Sequence, residues 1–213
     1  MNAMLSEALR EFNGLLHQLL TNLLGNDAET WGNELRKFLR KEPCWTTSLE
    51  PLLIPIGTVD VVATASPFVA RDRFVVNTKQ NAPVKIAYLW DDFRVWFTDK
   101  VEQPFEGSTL KYGKLSRSSV DGSIIAELGG EEKAETTLAE IFSLMATQPN
   151  GESGPLLTNG YANIFYVRDA KGVLRAVRVR WYADGGGWRV NALSVTGQDG
   201  WFDGRRVFSR NSR

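Results

Sequence analysis

The residues best equipped for chemistry lie near the C-terminus. Arg178, Arg180 and Arg189 stand close to Tyr182 and Trp188, and Arg205, Arg206, Arg210 and Arg213 extend the positive charge. Guanidinium groups pair with phosphate, and aromatic rings stack on bases. Such a surface suits single-stranded nucleic acid. The same residues also fit a plain solvated sheet face, and no RNP-type motif accompanies them.

Other chemistries are poorly supplied. A serine or cysteine hydrolase needs a nucleophile and a base, and no G-x-S-x-G elbow is present. Cys44 and His17 are the only cysteine and histidine, too few for a structural zinc site. His17 sits beside Gln18 and Thr21 and reads as a surface residue; Cys44 between Pro43 and Trp45 reads as a buried thiol. Asp60, Asp72, Asp91, Asp92 and Asp99 crowd one region and are the right type for Mg²⁺ or Ca²⁺. Adjacent Asp91 and Asp92 would point to opposite sides of a strand, however, and turn chemistry explains them as well. Gly185, Gly186 and Gly187 read as a hairpin turn, not as a phosphate loop between strand and helix. The expectation is no metal, no cofactor and no assigned catalytic residue.

Two helices are expected first. Leu5, Leu9, Phe12, Leu16, Leu19, Leu20 and Leu23 recur at spacings of three and four, and Gly25-Asn26 ends the run. Asn26 and Glu29 resemble a capping box for a second helix with Trp31, Leu35, Phe38 and Leu39 on one face, stopped by Pro43. From residue 52 the texture turns β-branched and aromatic. Thr58–Ala63, Phe74–Asn77, Val84–Trp90 and Phe93–Thr98 read as strands, with a hairpin turn at Asp91-Asp92. Thr109–Leu115 and Ser123–Leu128 read as two more. Thr137 and Glu140 form a capping box for a helix near 137–147. Ile164–Arg168, Val173–Tyr182 and Trp188–Thr196 read as three antiparallel strands, followed by a short one through Arg206, Val207 and Phe208.

Hydrophobic residues at 43% and charged residues at 23% are ordinary for a chain that buries a core. Net charge is zero but uneven. Residues 121–160 hold seven acidic residues and one basic, net −6; residues 161–213 hold ten basic and four acidic, net +6. If the two segments neutralise each other, the case for nucleic acid weakens. No export signal and no apolar run of spanning length is read, so the expectation is a cytoplasmic protein that does not bind membranes.

Several stretches carry a resemblance. LRKFLRKEPCW at 35–45, FVVNTKQNAPVKIAYLWDDFRVWFTDKVEQPFEGSTLKYGKL at 74–115, IIAELGGEEKAETTLAEIF at 124–142, LLTNGYANIFYVRDAKGVLRAVRVRWYADGGGWRVNA at 156–192 and GRRVFSRNS at 204–212 together cover most of the chain. They resemble a group of uncharacterised hypothetical proteins from small-genome, metagenome-derived bacteria. There an FLRKE-type helix precedes varied bodies and a VFSRN-type ending closes the chain. The resemblance implies a cytoplasmic bacterial setting and a boundary near residue 46, and no catalytic residue.

The sequence therefore predicts an α+β fold. A helical hairpin at 1–46 precedes a body at 50–213, built from an antiparallel meander over 52–115, one internal helix and a C-terminal antiparallel sheet over 162–208. The expected function is non-enzymatic binding of a protein or a single-stranded nucleic acid, through Arg178, Arg180, Tyr182, Arg189, Arg205 and Arg206. The alternative is a histidine-independent hydrolase or nuclease using carboxylates and arginines. A broad charged surface would favour binding; a concave pocket with a carboxylate beside arginine would favour the enzyme.

Overall fold

The computed structural model describes residues 13, 16–17, 19–25, 28–42, 51–197 and 200–210. The chain divides into two compact units, Met1–Leu49 and Glu50–Arg213.

In the first unit residues 19–23 are helical (α1), and Ala28–Leu39 form α2. Glu29 lies in the first turn of α2 and Arg36 and Lys37 in the last, the arrangement the helix dipole favours. Lys37 pairs with Glu34 at 2.6 Å, one turn apart. His17 is helical and exposed. Leu5, Leu9, Phe12, Asn26, Pro43 and Cys44, which carried other expectations, lie outside the described residues.

The second unit is α+β. Its main sheet has seven strands: β1 (Leu53–Val61), β3 (Ile86–Leu89), β5 (Ser108–Leu115), β6 (Asn163–Arg168), β7 (Leu174–Tyr182), β8 (Gly187–Ser194) and β9 (Arg206–Arg210). They lie in the order β1-β5-β9-β6-β7-β8-β3, and β2 (Phe68–Val69) and β4 (Val101–Glu102) form a separate two-stranded ribbon. The helices are α3 (Ala70–Arg73), α4 (Asp91–Phe97), α5 (Asp121–Leu128), α6 (Glu131–Ala134) and α7 (Leu138–Ala146).

Strand alternation in β6 to β9 divides the core into two clusters. Phe165, Val177, Val179, Trp188, Val190 and Phe208 pack with α4 and α7, through Phe93, Phe97, Ile141 and Met145. Ile164, Tyr166, Leu174, Ala176 and Val207 point the other way, to Ile124 of α5, Ala134 of α6 and Trp201. Each large side chain so buried contributes about 1.5–3 kcal/mol. On this second face β7 runs on past Ala176 into Arg178, Arg180 and Tyr182.

Helix α7 begins as its capping box predicts. Thr137 Oγ1 accepts the Glu140 N–H at 3.2 Å, and Glu140 Oε2 accepts the Thr137 N–H at 2.7 Å. Glu102 adds its carboxylate to the Leu138 and Ala139 N–H groups, both at 2.9 Å, so the exposed donors of the first turn are satisfied.

Several expectations are corrected. Phe93–Thr98 is not a strand and Asp91-Asp92 is not a hairpin turn. Residues 91–97 form α4, with Thr98 as its C-cap; the two carboxylates sit in the first turn, and Phe93 and Phe97, four apart, are both buried. Ser123–Leu128 lies in α5, which Gly129 ends at φ +94 with the left-handed cap that glycine accepts freely. Phe74–Asn77 contributes only an isolated bridge, Asn77 to Ile86. Residues 52–115 are not a meander. β1 pairs with β5, while β3 joins β8 in parallel at the opposite edge. With β6 and β9 also parallel, the sheet is mixed rather than antiparallel.

Candidate functional site

The site grows from the exposed end of β7. Arg178 and Arg180 are two residues apart and so share a face. Register with β8 sets Asn191 opposite Arg178 and Arg189 opposite Arg180. Tight pairing of these strands follows from the turn at 183–186, where Gly186 has φ +57. The Gly185–Gly187 run is thus a hairpin feature, as expected.

A third segment closes over this face. Ser119 and Trp201 exchange backbone hydrogen bonds at 2.9 and 2.7 Å, which ties the stretch before β9 to the entry of α5. Asp121, in the first turn of α5, is 2% exposed. Its Oδ1 accepts the Tyr166 hydroxyl at 2.8 Å and the Trp201 Nε1–H at 2.7 Å. Burial pushes the Asp121 carboxyl above the ordinary range, while the bonds from Trp201 and Tyr166 pull the other way. Tyr166 is driven up by burial first and then by the Asp121 charge, so it stays a donor.

Between these elements lies a cavity of about 450 Å³, lined by Arg178, Arg180, Arg205, Asn191, Asp121 and Trp201 among others. That volume is in the range of small-molecule sites, roughly 300–1,000 Å³. Asn191 is 6% exposed; its Oδ1 accepts the Ala192 N–H at 2.9 Å, and no described residue accepts from its Nδ2. A second hollow of about 360 Å³ beside Tyr182, Thr158 and Asn159 shares Arg180 and Gly160 with the first. The two form adjoining spaces along one face.

None of the three cavity arginines forms an ion pair with a described residue. Arg178 is half-buried and lies 5.6 Å from the centre of the Trp90 ring. Burial lowers its guanidinium pKa, and the Arg180 charge lowers it further. Arg205 donates to the Asp203 carbonyl at 2.7 Å and lies over Tyr161 at 4.6 Å and Phe202 at 5.2 Å. Phe202 is 66% exposed.

The other expected site residues lie elsewhere. Arg189 sits 3.4 Å over Tyr182, so these two spend their faces on each other, and Arg189 does not line the arginine cavity. Arg206 is next to Val207 and points to the opposite face. There it donates to the Gly154 and Pro155 carbonyls and covers the Tyr112 ring at 5.2 Å. Its role there is to hold the loop before β6. Asp121, Asn191, Trp201 and Phe202 were not expected. Asn191 had a signal, a polar residue between Val190 and Ala192 in an apolar strand; Asp121 had none, because its partners lie 45 and 80 residues away.

Among the described residues, ion pairs between the acidic and basic segments form only at Arg168. Arg168 pairs with Glu131 at 2.9 Å and with Glu135 at 3.0 Å. The cavity arginines take no part in these ion pairs, and Asp121 is the one described carboxylate of the acidic segment that lines their cavity. The early aspartates disperse. Asp99 pairs with Arg71, Asp60 accepts from Thr109, and Asp91 and Asp92 start α4. Among the described residues no three of His, Cys, Asp and Glu converge as metal ligands, and no helix is long and apolar enough to cross a membrane. Comparison with protein-family profiles, with curated proteins and with solved structures finds no match for this chain.

Proposed function

We propose that the unit Glu50–Arg213 binds single-stranded nucleic acid, with phosphate held in the arginine cavity. The observation that carries this reading is the convergence of Arg178, Arg180 and Arg205 on one cavity with no carboxylate of a described residue paired to any of them. Unpaired half-buried guanidinium groups are costly unless an anion completes them. The exposed Phe202 ring supplies aromatic surface next to the charge, the pairing that single strands use. Fluorescence anisotropy against labelled single-stranded RNA and duplex DNA, across a salt series, tests it. Binding should weaken linearly in log salt, and Arg178→Ala with Arg180→Ala should reduce the slope by about 1.4, two phosphate contacts at about 0.7 each. Absence of binding at low salt overturns the proposal in favour of a protein partner. An unchanged slope in the double variant moves the contact off this cavity.

One observation favours the enzyme as a second reading. Asp121 lines the same concave space as the arginines, and its Oδ2 takes no hydrogen bond from a described residue. A hydrolase of phosphate esters would use it as an acid or base beside charge-stabilising arginines. Breakdown of the labelled RNA by the wild-type protein, absent in Asp121→Asn, would establish that reading.

A further inference from the structure

We propose that the arginine cavity selects a terminal phosphomonoester, the phosphorylated end of a strand, over the internal phosphodiesters. This rests on the anion-binding reading above and deepens it. The argument is one of charge and shape. Among the described residues that line the cavity, Arg178, Arg180 and Arg205 bring three positive charges, and Asp121, counted as ionised, brings one negative, for a net charge of +2. A phosphomonoester carries about −1.5 to −2 at neutral pH, so it matches that charge where a single diester group at −1 leaves half of it bare. Asn191 is a second, independent pointer. It is buried and lines the cavity, and its Nδ2 donates to no described residue. A monoester has three terminal oxygens to receive such donors, one more than a diester.

The surroundings give the rest of the ligand a way out. Arg180 and Gly160 also line the hollow beside Tyr182 and Asn159, which places further open surface next to the cavity for the rest of a strand. A phosphate group at the end of a strand needs one exit; a phosphate inside a strand needs two.

The test compares the full chain's affinity for one oligonucleotide with a 5′-phosphate, a 3′-phosphate or hydroxyl ends. A nucleoside 5′-monophosphate and inorganic phosphate serve as competitors. A phosphorylated end should tighten binding by roughly ten- to a hundredfold, the value of the one further charge-assisted hydrogen bond that the third terminal oxygen accepts. That ratio should fall towards one in the double variant Arg178→Ala and Arg180→Ala. Arg205→Gln, in a separate loop, provides a second variant should the double one fail to fold. Equal affinity for phosphorylated and hydroxyl ends overturns the inference and leaves strand binding standing. Monophosphate binding that depends on the arginines, with no oligonucleotide binding, supports the phosphomonoester site and removes the nucleic-acid reading. If none of the probes binds at low salt, both fall.

Discussion

Replacing Arg178 with methionine should make the unliganded protein more stable. Arg178 and Arg180 sit two residues apart on one strand face, a spacing of about 7 Å. Like charges at that distance repel by roughly 2 kcal/mol at an effective dielectric of about 20, and by ~0.6 kcal/mol in water. Arg178 is half-buried, so the value lies between these. Burial of the guanidinium with no ion-pair partner among the described residues adds to the cost. Against this stands the contact with Trp90 at 5.6 Å, worth about 0.5–1 kcal/mol. Methionine keeps the aliphatic stem and removes the charge. The balance is a gain of about 1 kcal/mol, which in a unit of this size raises Tm by roughly 2–4 °C. Urea denaturation followed by tryptophan fluorescence, at low and at high salt, measures it. The gain should shrink as salt screens the repulsion. A loss of about 1 kcal/mol or more at low salt would refute the reasoning, because Arg178 would then be a structural residue and not one held ready for a ligand.

Asp121→Ala should cost about 2–4 kcal/mol, since it strips the buried Tyr166 hydroxyl and Trp201 Nε1 of their acceptor; Asp121→Asn should retain most of that stability in the same urea titration. Because the folded carboxyl titrates above its unfolded value of about 3.9, its contribution is present in full below that pH and is lost as pH rises through the folded pKa. The stability of the wild type relative to Asp121→Asn should therefore decline with rising pH across that window and then level off. Thr137→Ala should cost about 1 kcal/mol by removing the side-chain half of the α7 capping box, read as a shift in denaturation midpoint. Gly187→Ala should cost about 1–3 kcal/mol, because an added Cβ would meet the Ala87 nitrogen and Lys85 oxygen of the β3 segment at 3.0 Å; hydrogen exchange of residues 86–89 should rise with it.

Where local chemistry and tertiary environment agree, the sequence by itself determined the outcome. The α7 start follows from Thr137 and Glu140, whose bonds close within one turn. The β6-β7-β8 run follows from alternation and from the Gly-rich turn, because neighbouring strands joined by short turns pair antiparallel. Arg178 and Arg180 on one face follow from the same period of two. Strand and helix periods are ambiguous over short apolar runs. So Phe93–Phe97 and Ile124–Leu128 became helices once burial of residues four apart outweighed their β-like composition. Pairing between distant segments leaves no local trace, and for that reason only the tertiary structure could put β3 beside β8, β9 between β5 and β6, and Asp121 under Trp201. The same long-range closure sorted the arginines. It gathered Arg178, Arg180 and Arg205 around one cavity and sent Arg206 to the opposite face, a division that side-chain type alone cannot make.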